Sequence, residues 1–187
     1  MLLTSSRVLL RPLKRTDVEL LYLQFLSDEN LLHYLDVSYC ADIEKARSFV
    51  ETTVEKIRSI NCPYYQFWVI ESIASIESIE ASKLIGCVWS SEMDAIKRLV
   101  ELEFFIVKSE QGKGYMTEAL KTLIEYYFKS TDVYRIEAVC NAENNLSEKV
   151  LIKAGMTFEG ILRGRALNLN SLGNPGDLKM FSIIKTK

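Results

Sequence analysis

One segment combines residue types and spacing able to do chemistry: Val107-Lys108-Ser109-Glu110-Gln111-Gly112-Lys113-Gly114-Tyr115-Met116-Thr117-Glu118-Ala119. An apolar, strand-like run leads into a glycine-bearing turn and then straight into an amphipathic helical pattern. A turn of this kind leaves successive main-chain N–H groups unpaired at a helix start, where the helix dipole also favours negative charge. The result is an anion cradle, matched best by a pyrophosphate. Gly112 and Gly114 let the backbone approach the ligand without a Cβ in the way, and Lys113 adds a point charge. Three cradle types compete. A Gly-x-x-x-x-Gly-Lys-[Ser/Thr] loop fails twice, because Val107 stands where the first glycine belongs and Gly114 follows Lys113. A Gly-x-Gly-x-x-Gly fingerprint fails at Thr117. The pattern left standing is Gln-x-x-Gly-x-[small], carried by Gln111, Gly114 and Met116. The plain alternative is a glycine-rich turn with no ligand.

The elements that must position this loop are legible on either side of it. Glu101 to Val107 reads as a strand, and a helix runs from about Met116 to Lys129 with Met116, Ala119, Leu120, Leu123, Ile124 and Tyr127 on one face. Tyr134 to Cys140 reads as another strand. Asn144 or Asn145 can cap a helix that ends at Gly155. Phe158 to Leu162 and Leu178 to Ile184 make a last strand pair across a loop containing Asn174-Pro175-Gly176. Earlier, Val8 to Arg11 is a short strand stopped by Pro12. Thr16 and Glu19 form a capping-box pattern that opens a helix through Leu20, Leu21, Leu23 and Phe25. Asp42 can cap a helix with Ala46, Phe49, Val50, Thr53, Val54 and Ile57 at helical spacing. Tyr65 to Ile70 and Leu84 to Trp89 read as strands joined by a long connection, Glu71 to Ser82. The class is mixed α/β with one central sheet.

Composition excludes other functions. The chain has 187 residues, a length suited to one domain, with 23 Lys+Arg against 25 Asp+Glu and a net charge of −2. That balance argues against a nucleic-acid partner. The four cysteines, Cys40, Cys62, Cys87 and Cys140, are widely spaced and contain no C-x-x-C pair, so they read as reduced residues of a cytoplasmic protein. His33 is the only histidine, which disfavours a zinc site or a Ser-His-Asp triad; no metal is expected. Neither a signal-peptide pattern at the start nor an apolar run long enough to span a bilayer is present, so no membrane partner is expected.

Further runs flank the loop: Glu101-Leu102-Glu103-Phe104-Phe105-Ile106, Arg135-Ile136-Glu137-Ala138, and Asn144-x-x-Ser147-x-x-Val150-Leu151-x-Lys153-x-Gly155. The opening Leu9-Leu10-Arg11-Pro12-Leu13 with Asp17 belongs with them. Together with Gln111 to Leu120 they resemble the RimJ/RimL branch of the GNAT acetyltransferases, from about Arg7 to Ile184. Two departures are Met116 where a small residue is usual, which should crowd the loop while leaving its N–H available, and Met156 for a Phe after Gly155, a core packing change. The resemblance implies one domain over 1–187, built on a single mixed, mostly antiparallel sheet splayed between its two middle strands, with helices on both faces. It also implies acetyl-CoA as donor and an amine as acceptor, with direct transfer. Gln111, Gly112, Lys113, Gly114, Tyr115, Met116 and Thr117 would then hold the pyrophosphate. Backbone groups of Phe105, Ile106 and Val107 would pair with the pantetheine arm, and a strand N–H would polarise the thioester carbonyl.

An amine acceptor is mostly protonated at neutral pH, so a base must take a proton, directly or through water. Alternation puts Glu101 and Glu103 on the same sheet face as Phe105. Glu101 matches the glutamate that acts as base in related enzymes, and Glu103 is the reserve or an anchor for the substrate amine. Each also reads as an ordinary carboxylate on a solvated face. The departing thiolate needs a proton. The tyrosine used by many relatives is replaced here by Leu151, and Ser147 matches the serine that takes its role in this branch. Asn144 would bond the pantetheine or a relay water. The plain readings are an N-cap for Asn144 and a first-turn helix residue for Ser147. Cys140 is expected only to pack. The acceptor stays open among protein N-termini, antibiotics, polyamines and other amines, since fold does not settle substrate. Its pocket would be lined by Leu26 to Tyr39, Trp89 to Val100 and Arg163 to Gly176, whose acidic and aromatic residues (Asp28, Glu29, Tyr34, Asp36, Tyr39) suit a cation. Alternatives are a CoA-binding module without turnover and, less favoured, a nucleotide kinase. A monomer or a homodimer fits equally.

Overall fold

The computed structural model describes residues 1–32, 35, 37, 39–60, 62, 65–73, 83–94, 96–166 and 176–186. The strands are β1 (Leu3–Thr4), β2 (Val8–Pro12), β3 (Phe67–Ser72), β4 (Lys83–Asp94), β5 (Leu99–Ile106), β6 (Arg135–Asn141), β7 (Thr157–Ala166) and β8 (Gly176–Ile184). They form one sheet in the order β1-β2-β3-β4-β5-β6-β8-β7. Every neighbouring pair is antiparallel except β5 and β6. The helices are α1 (Val18–Leu21), α2 (Glu29–Leu32), α3 (Ile43–Ile60), α4 (Tyr115–Ser130) and α5 (Asn145–Ala154). His33, Tyr34, Asp36, most of the connection between β3 and β4, and the loop before Gly176 lie outside the described residues.

The two faces of the sheet follow from strand alternation. Phe67 turns to one side and stacks on Trp89, its cross-strand partner, at 5.3 Å. Phe49 of α3 meets Phe67 edge-on, and Phe25 stacks on Phe105 with centroids 4.0 Å apart. The next residue, Trp68, turns to the other side and meets Tyr126 of α4 at 6.0 Å. Helices therefore cover both faces. The face expected for α4 is the one it buries: Met116, Ala119, Leu120, Leu123, Ile124 and Tyr127. The caps also match their sequence signals. Asp42 Oδ1 accepts the Lys45 N–H at 2.9 Å, Asn144 Oδ1 accepts the Ser147 N–H at 3.1 Å, and Gly155 ends α5 in the left-handed region at φ 100°.

The N-terminal segment differs from its sequence reading. β2 continues through Pro12, which pairs with Trp68. β1 covers only Leu9 and Leu10, so Pro12 sits where β2 is the sheet edge and its missing donor leaves no gap in a ladder. The capping carboxylate is Asp17, which accepts the Lys14 N–H at 2.8 Å, not the Thr16/Glu19 pair. After α1 the coil widens over Tyr22–Leu26, and the Ser27 N–H reaches back to the Tyr22 carbonyl. This wide turn carries consecutive residues, Phe25 and Leu26, fully into the core, while Leu23 stays 72% exposed.

Gly86 marks a tight approach between β4 and β5. A Cβ there would lie 2.4 Å from the Phe105 carbonyl oxygen and 3.1 Å from Ile106 Cα. The Gly86→Ala variant must spread the two strands, and is expected to lose about 1–3 kcal/mol of stability in urea unfolding.

Candidate functional site

β5 and β6 pair over three positions only: Leu99 with Arg135, Val100 with Ile136 and Glu101 with Glu137. Beyond Glu101 the strands part. β5 continues on β4 to Ile106, and β6 continues on β8 to Asn141. The two arms run in the same direction, so the wedge between them opens at their carboxyl ends, the place where open α/β sheets bind ligands. Each arm leads to a helix start: α4 follows β5 through the glycine loop, and α5 follows β6. Two helix N-termini thus flank the mouth, and their dipoles favour an anion there.

The loop has the geometry of a cradle. Gly112 and Gly114 adopt φ 76° and 87°, values that side chains rarely tolerate. A Cβ on Gly112 would touch nothing within 4 Å, so the approach is open. The Glu118 N–H bonds the Gly114 carbonyl at 3.0 Å, which leaves the Tyr115, Met116 and Thr117 N–H groups facing forward, as in any first helical turn. Met116 turns its side chain into the core (3% exposed), so the crowding expected from its bulk falls on the core and not on the loop. Gln111 Nε2 folds back to the Ile106 carbonyl at 3.3 Å. Lys113, read from the sequence as a point charge at the loop, pairs its Nζ with Glu110 at 2.9 Å.

A second contact holds the loop from outside. Glu118 accepts the Ser5 hydroxyl at 2.6 Å, the Ser6 hydroxyl at 2.9 Å and the Arg7 N–H at 2.8 Å, and pairs with the Arg7 guanidinium. Burial alone would raise the Glu118 carboxyl, but these bonds outweigh it and hold the group at about 2. A pKa depressed in the folded state stabilises above the unfolded value and is lost as pH falls through the folded one. The stability gap between the parent and Glu118→Gln should therefore stay constant down to about pH 5 and shrink below it, as measured by urea unfolding across pH.

Polar side chains gather at the apex of the wedge. Glu101 and Glu137 are neighbours across the parallel pair, and Ser182 is the partner of Glu137 on β8; paired residues share a face. Arg135 Nε donates to Glu137 at 2.6 Å, and its terminal nitrogens donate to Glu159 at 2.9 and 2.6 Å. Glu159 also accepts the Ser182 hydroxyl. Arg135 and then Ser182 hold the Glu159 carboxyl at about 2. Two carboxylates, Glu137 and Glu159, thus hold the Arg135 guanidinium, and Glu101 and Glu103 add two more along the same face of β5, a surface suited to a cation.

A family model described as an acetyltransferase (GNAT) domain matches residues 7–157. The chain belongs to the GNAT acetyltransferase family. This acetyltransferase is 26% identical to the uncharacterized N-acetyltransferase YoaA of Bacillus subtilis over 189 residues, covering 100% of this chain and 98% of that protein. Its fold is similar to that of RimL, a ribosomal alpha-N-protein acetyltransferase solved with coenzyme A (TM-score 0.83, 20% identity, 98% of each chain). It is also similar to the spermidine N-acetyltransferase of Vibrio cholerae solved with coenzyme A and spermine (TM-score 0.77, 20% identity, 95% of each chain). The RimJ/RimL-like branch and the sheet splayed at its two middle strands agree with these likenesses.

In this GNAT acetyltransferase the sequence-selected residues occupy both arms of the wedge. Glu101 stands at its apex, Phe105 to Val107 at the end of the β5 arm, and Gln111 to Thr117 beyond it. Asn144 and Ser147 lie past the end of the β6 arm, where Asn144 is the N-cap and Ser147 a first-turn residue. Leu151, which stands at the tyrosine position of other relatives, is fully buried. Cys140 packs as expected: it is 6% exposed, and burial pushes its thiol up to about 11. Sequence reasoning assigned no role to Arg7, Glu118, Arg135, Glu137 or Glu159. The pairings of Arg7 with Glu118 and of Arg135 with Glu159 join positions far apart in the chain, and no local spacing announces them; only Arg135 and Glu137, two apart on β6, are sequence neighbours. Among the described residues, no cluster of His, Cys, Asp and Glu could hold a metal ion, and no helix is long and apolar enough to cross a membrane.

Proposed function

We propose that the chain, acting as one domain over 1–187, moves the acetyl group of acetyl-CoA directly to a primary amine on a small molecule or a peptide N-terminus. The observation that carries this reading is the parting of β5 from β6 after Glu101, at a mouth flanked by two helix starts. The loop amides from Gln111 to Thr117 receive the pyrophosphate. The freed edge of β5 around Phe105 and Ile106 pairs with the pantetheine amides, and one of its N–H groups stabilises the charge developing on the thioester oxygen. Val107, expected to share in this, takes no part, because its N–H donates to the Ile85 carbonyl at 2.8 Å and its own carbonyl accepts the Glu110 N–H at 2.9 Å. Glu101 takes a proton from the ammonium form of the acceptor, directly or through water. The free amine attacks the carbonyl carbon, the C–S bond breaks, and the proton shed by the attacking nitrogen reaches the leaving thiolate through the Ser147 hydroxyl, which gives one proton and takes one back. Glu103 anchors the acceptor or serves as base in place of Glu101. The Asn144 amide oxygen is occupied by the cap, so its NH2 group is the part available to the pantetheine.

The carboxylates around Arg135 favour a cationic acceptor entering from their side of the sheet. RimL, named for acetylating a ribosomal protein, and the Vibrio cholerae enzyme, named for acetylating spermidine, are both N-acetyltransferases acting on amines. The wide spacing of the four cysteines, with no C-x-x-C pair, accords with a reducing cytoplasm. Calorimetry with CoA and acetyl-CoA tests the donor. An acetylation screen of peptides against polyamines and other small amines tests the acceptor. Absence of heat with either CoA form rejects the reading, and binding without transfer to any amine turns it into that of a binding module.

A further inference from the structure

We propose that Arg7 is a positioning residue for the pyrophosphate loop, an inference that rests on reading Gln111 to Thr117 as that loop. Arg7 belongs to the turn between β1 and β2, more than a hundred positions from the residues it touches. Its Nη1 donates to the Lys113 carbonyl at 3.1 Å. Its Nη2 lies 3.5 Å from where a Gly114 Cβ would stand, and its guanidinium carbon sits 4.9 Å from the centre of the Tyr115 ring. Nε and Nη2 grip Glu118 at 2.8 and 2.6 Å. One side chain therefore touches the loop, the first residue of α4 and the fourth.

The Lys113 carbonyl is the informative contact. The peptide joining Lys113 to Gly114 is trans, and a trans peptide points its C=O and N–H in opposite directions. By holding the Lys113 oxygen on its own side, Arg7 turns the Gly114 N–H away from itself, across the loop. Glycines on both sides of Lys113, at φ 76° and 87°, resist rotation of that peptide least, so an external hold matters here more than in an ordinary turn. The positive charge of Arg7 is matched by Glu118 in the same contact. Arg7 thus supplies direction to an amide and no net attraction for the phosphates. Glu118 in turn fastens the Ser5-Ser6-Arg7 turn, so the latch closes from both ends.

The test compares the parent, Arg7→Ala, Arg7→Lys and Glu118→Gln by calorimetry with CoA and with pantetheine, which lacks the pyrophosphate. Arg7→Ala is expected to weaken CoA binding about tenfold, the effect of losing one charge-assisted hydrogen bond. KM for acetyl-CoA should rise with kcat unchanged, and pantetheine binding should not move. Arg7→Lys keeps the charge without the fork and should remain weak. Glu118→Gln separates the two ways Arg7 could act: positioning predicts weaker CoA binding, whereas attraction by charge predicts tighter binding once Arg7 is released. Tighter binding in Glu118→Gln, full rescue by Arg7→Lys, or an equal loss with pantetheine each overturns the proposal. CoA binding undiminished by Arg7→Ala overturns it while leaving the loop reading intact. No CoA binding by the parent overturns both. Should Arg7→Ala fail to fold, Arg7→Lys and Glu118→Gln carry the same test.

Discussion

Replacing Glu101 with glutamine is expected to lower kcat by at least about a hundredfold and to leave the dissociation constant for acetyl-CoA unchanged. Glu101 is the last residue of β5 to pair with β6, so its backbone is held by strands on both sides while its side chain stands at the apex of the open wedge. Glutamine keeps the shape and loses the proton acceptor. Stopped-flow or steady-state turnover, together with calorimetry, separates the two quantities. The pH profile adds a second readout: the limb of kcat governed by the base should vanish in the variant. A kcat that stays level with the parent across pH removes Glu101 from the role of base. A larger loss in Glu103→Gln assigns the role to Glu103. Ping-pong kinetics or an acetylated Cys140 would reject direct transfer itself.

The second large effect concerns stability. Arg11→Ala should cost about 3–5 kcal/mol, because it leaves a buried carboxylate without its counter-charge. Arg11 and Asp17 are 8% and 4% exposed and form a bidentate pair with both contacts at 2.8 Å. Arg11 Nε reaches Glu71 on β3 at the same distance. These carboxylates outweigh the effect of burial and hold the guanidinium firmly protonated. The pair ties β2 to the start of α1 and to β3, and so sets the path of the segment that brings Phe25 onto Phe105. Thermal unfolding should report a Tm lowered by roughly 6–20 °C. A shift of only a degree or two would show that water reaches Asp17 and that the pair is as weak as an exposed one.

The parts of this molecule that were readable in sequence are those where a local signal and the tertiary environment agree. The apolar face of α4 was legible residue for residue, because 3.6-residue periodicity and burial point the same way. The caps at Asp42 and Asn144 and the left-handed stop at Gly155 are local chemistry. The glycine loop was legible because positive φ demands glycine. The pairing of Lys113 with Glu110 in the same turn was not legible, because both are charged residues of an exposed loop with many possible partners. The N-terminal segment was the least legible: Asp17 displaced the Thr16/Glu19 pattern because the same carboxylate also answers Arg11. The wide turn at Tyr22–Leu26 answers the aromatic surface of β4 and β5 and no signal of its own. The charged apex was partly visible, since Arg135 and Glu137 stood in the matched runs, but its closure through Glu159 and Ser182 required the order of the last strands.

The brevity of the β5–β6 pairing has a thermodynamic consequence. Past its third residue pair, each of the two strands borders a slot where its partner should be, and at the end of the β5 arm a side chain, the Gln111 amide, answers the Ile106 carbonyl. A coenzyme arm seated in that slot would act as a temporary extra strand, completing the sheet from outside the polypeptide. Ligand that binds only the folded chain adds about 2.7 kcal/mol of stability at a hundred times its dissociation constant. The melting point would then rise and fall with the cell's acetyl-CoA supply, making the fold sturdiest when its own co-substrate is abundant.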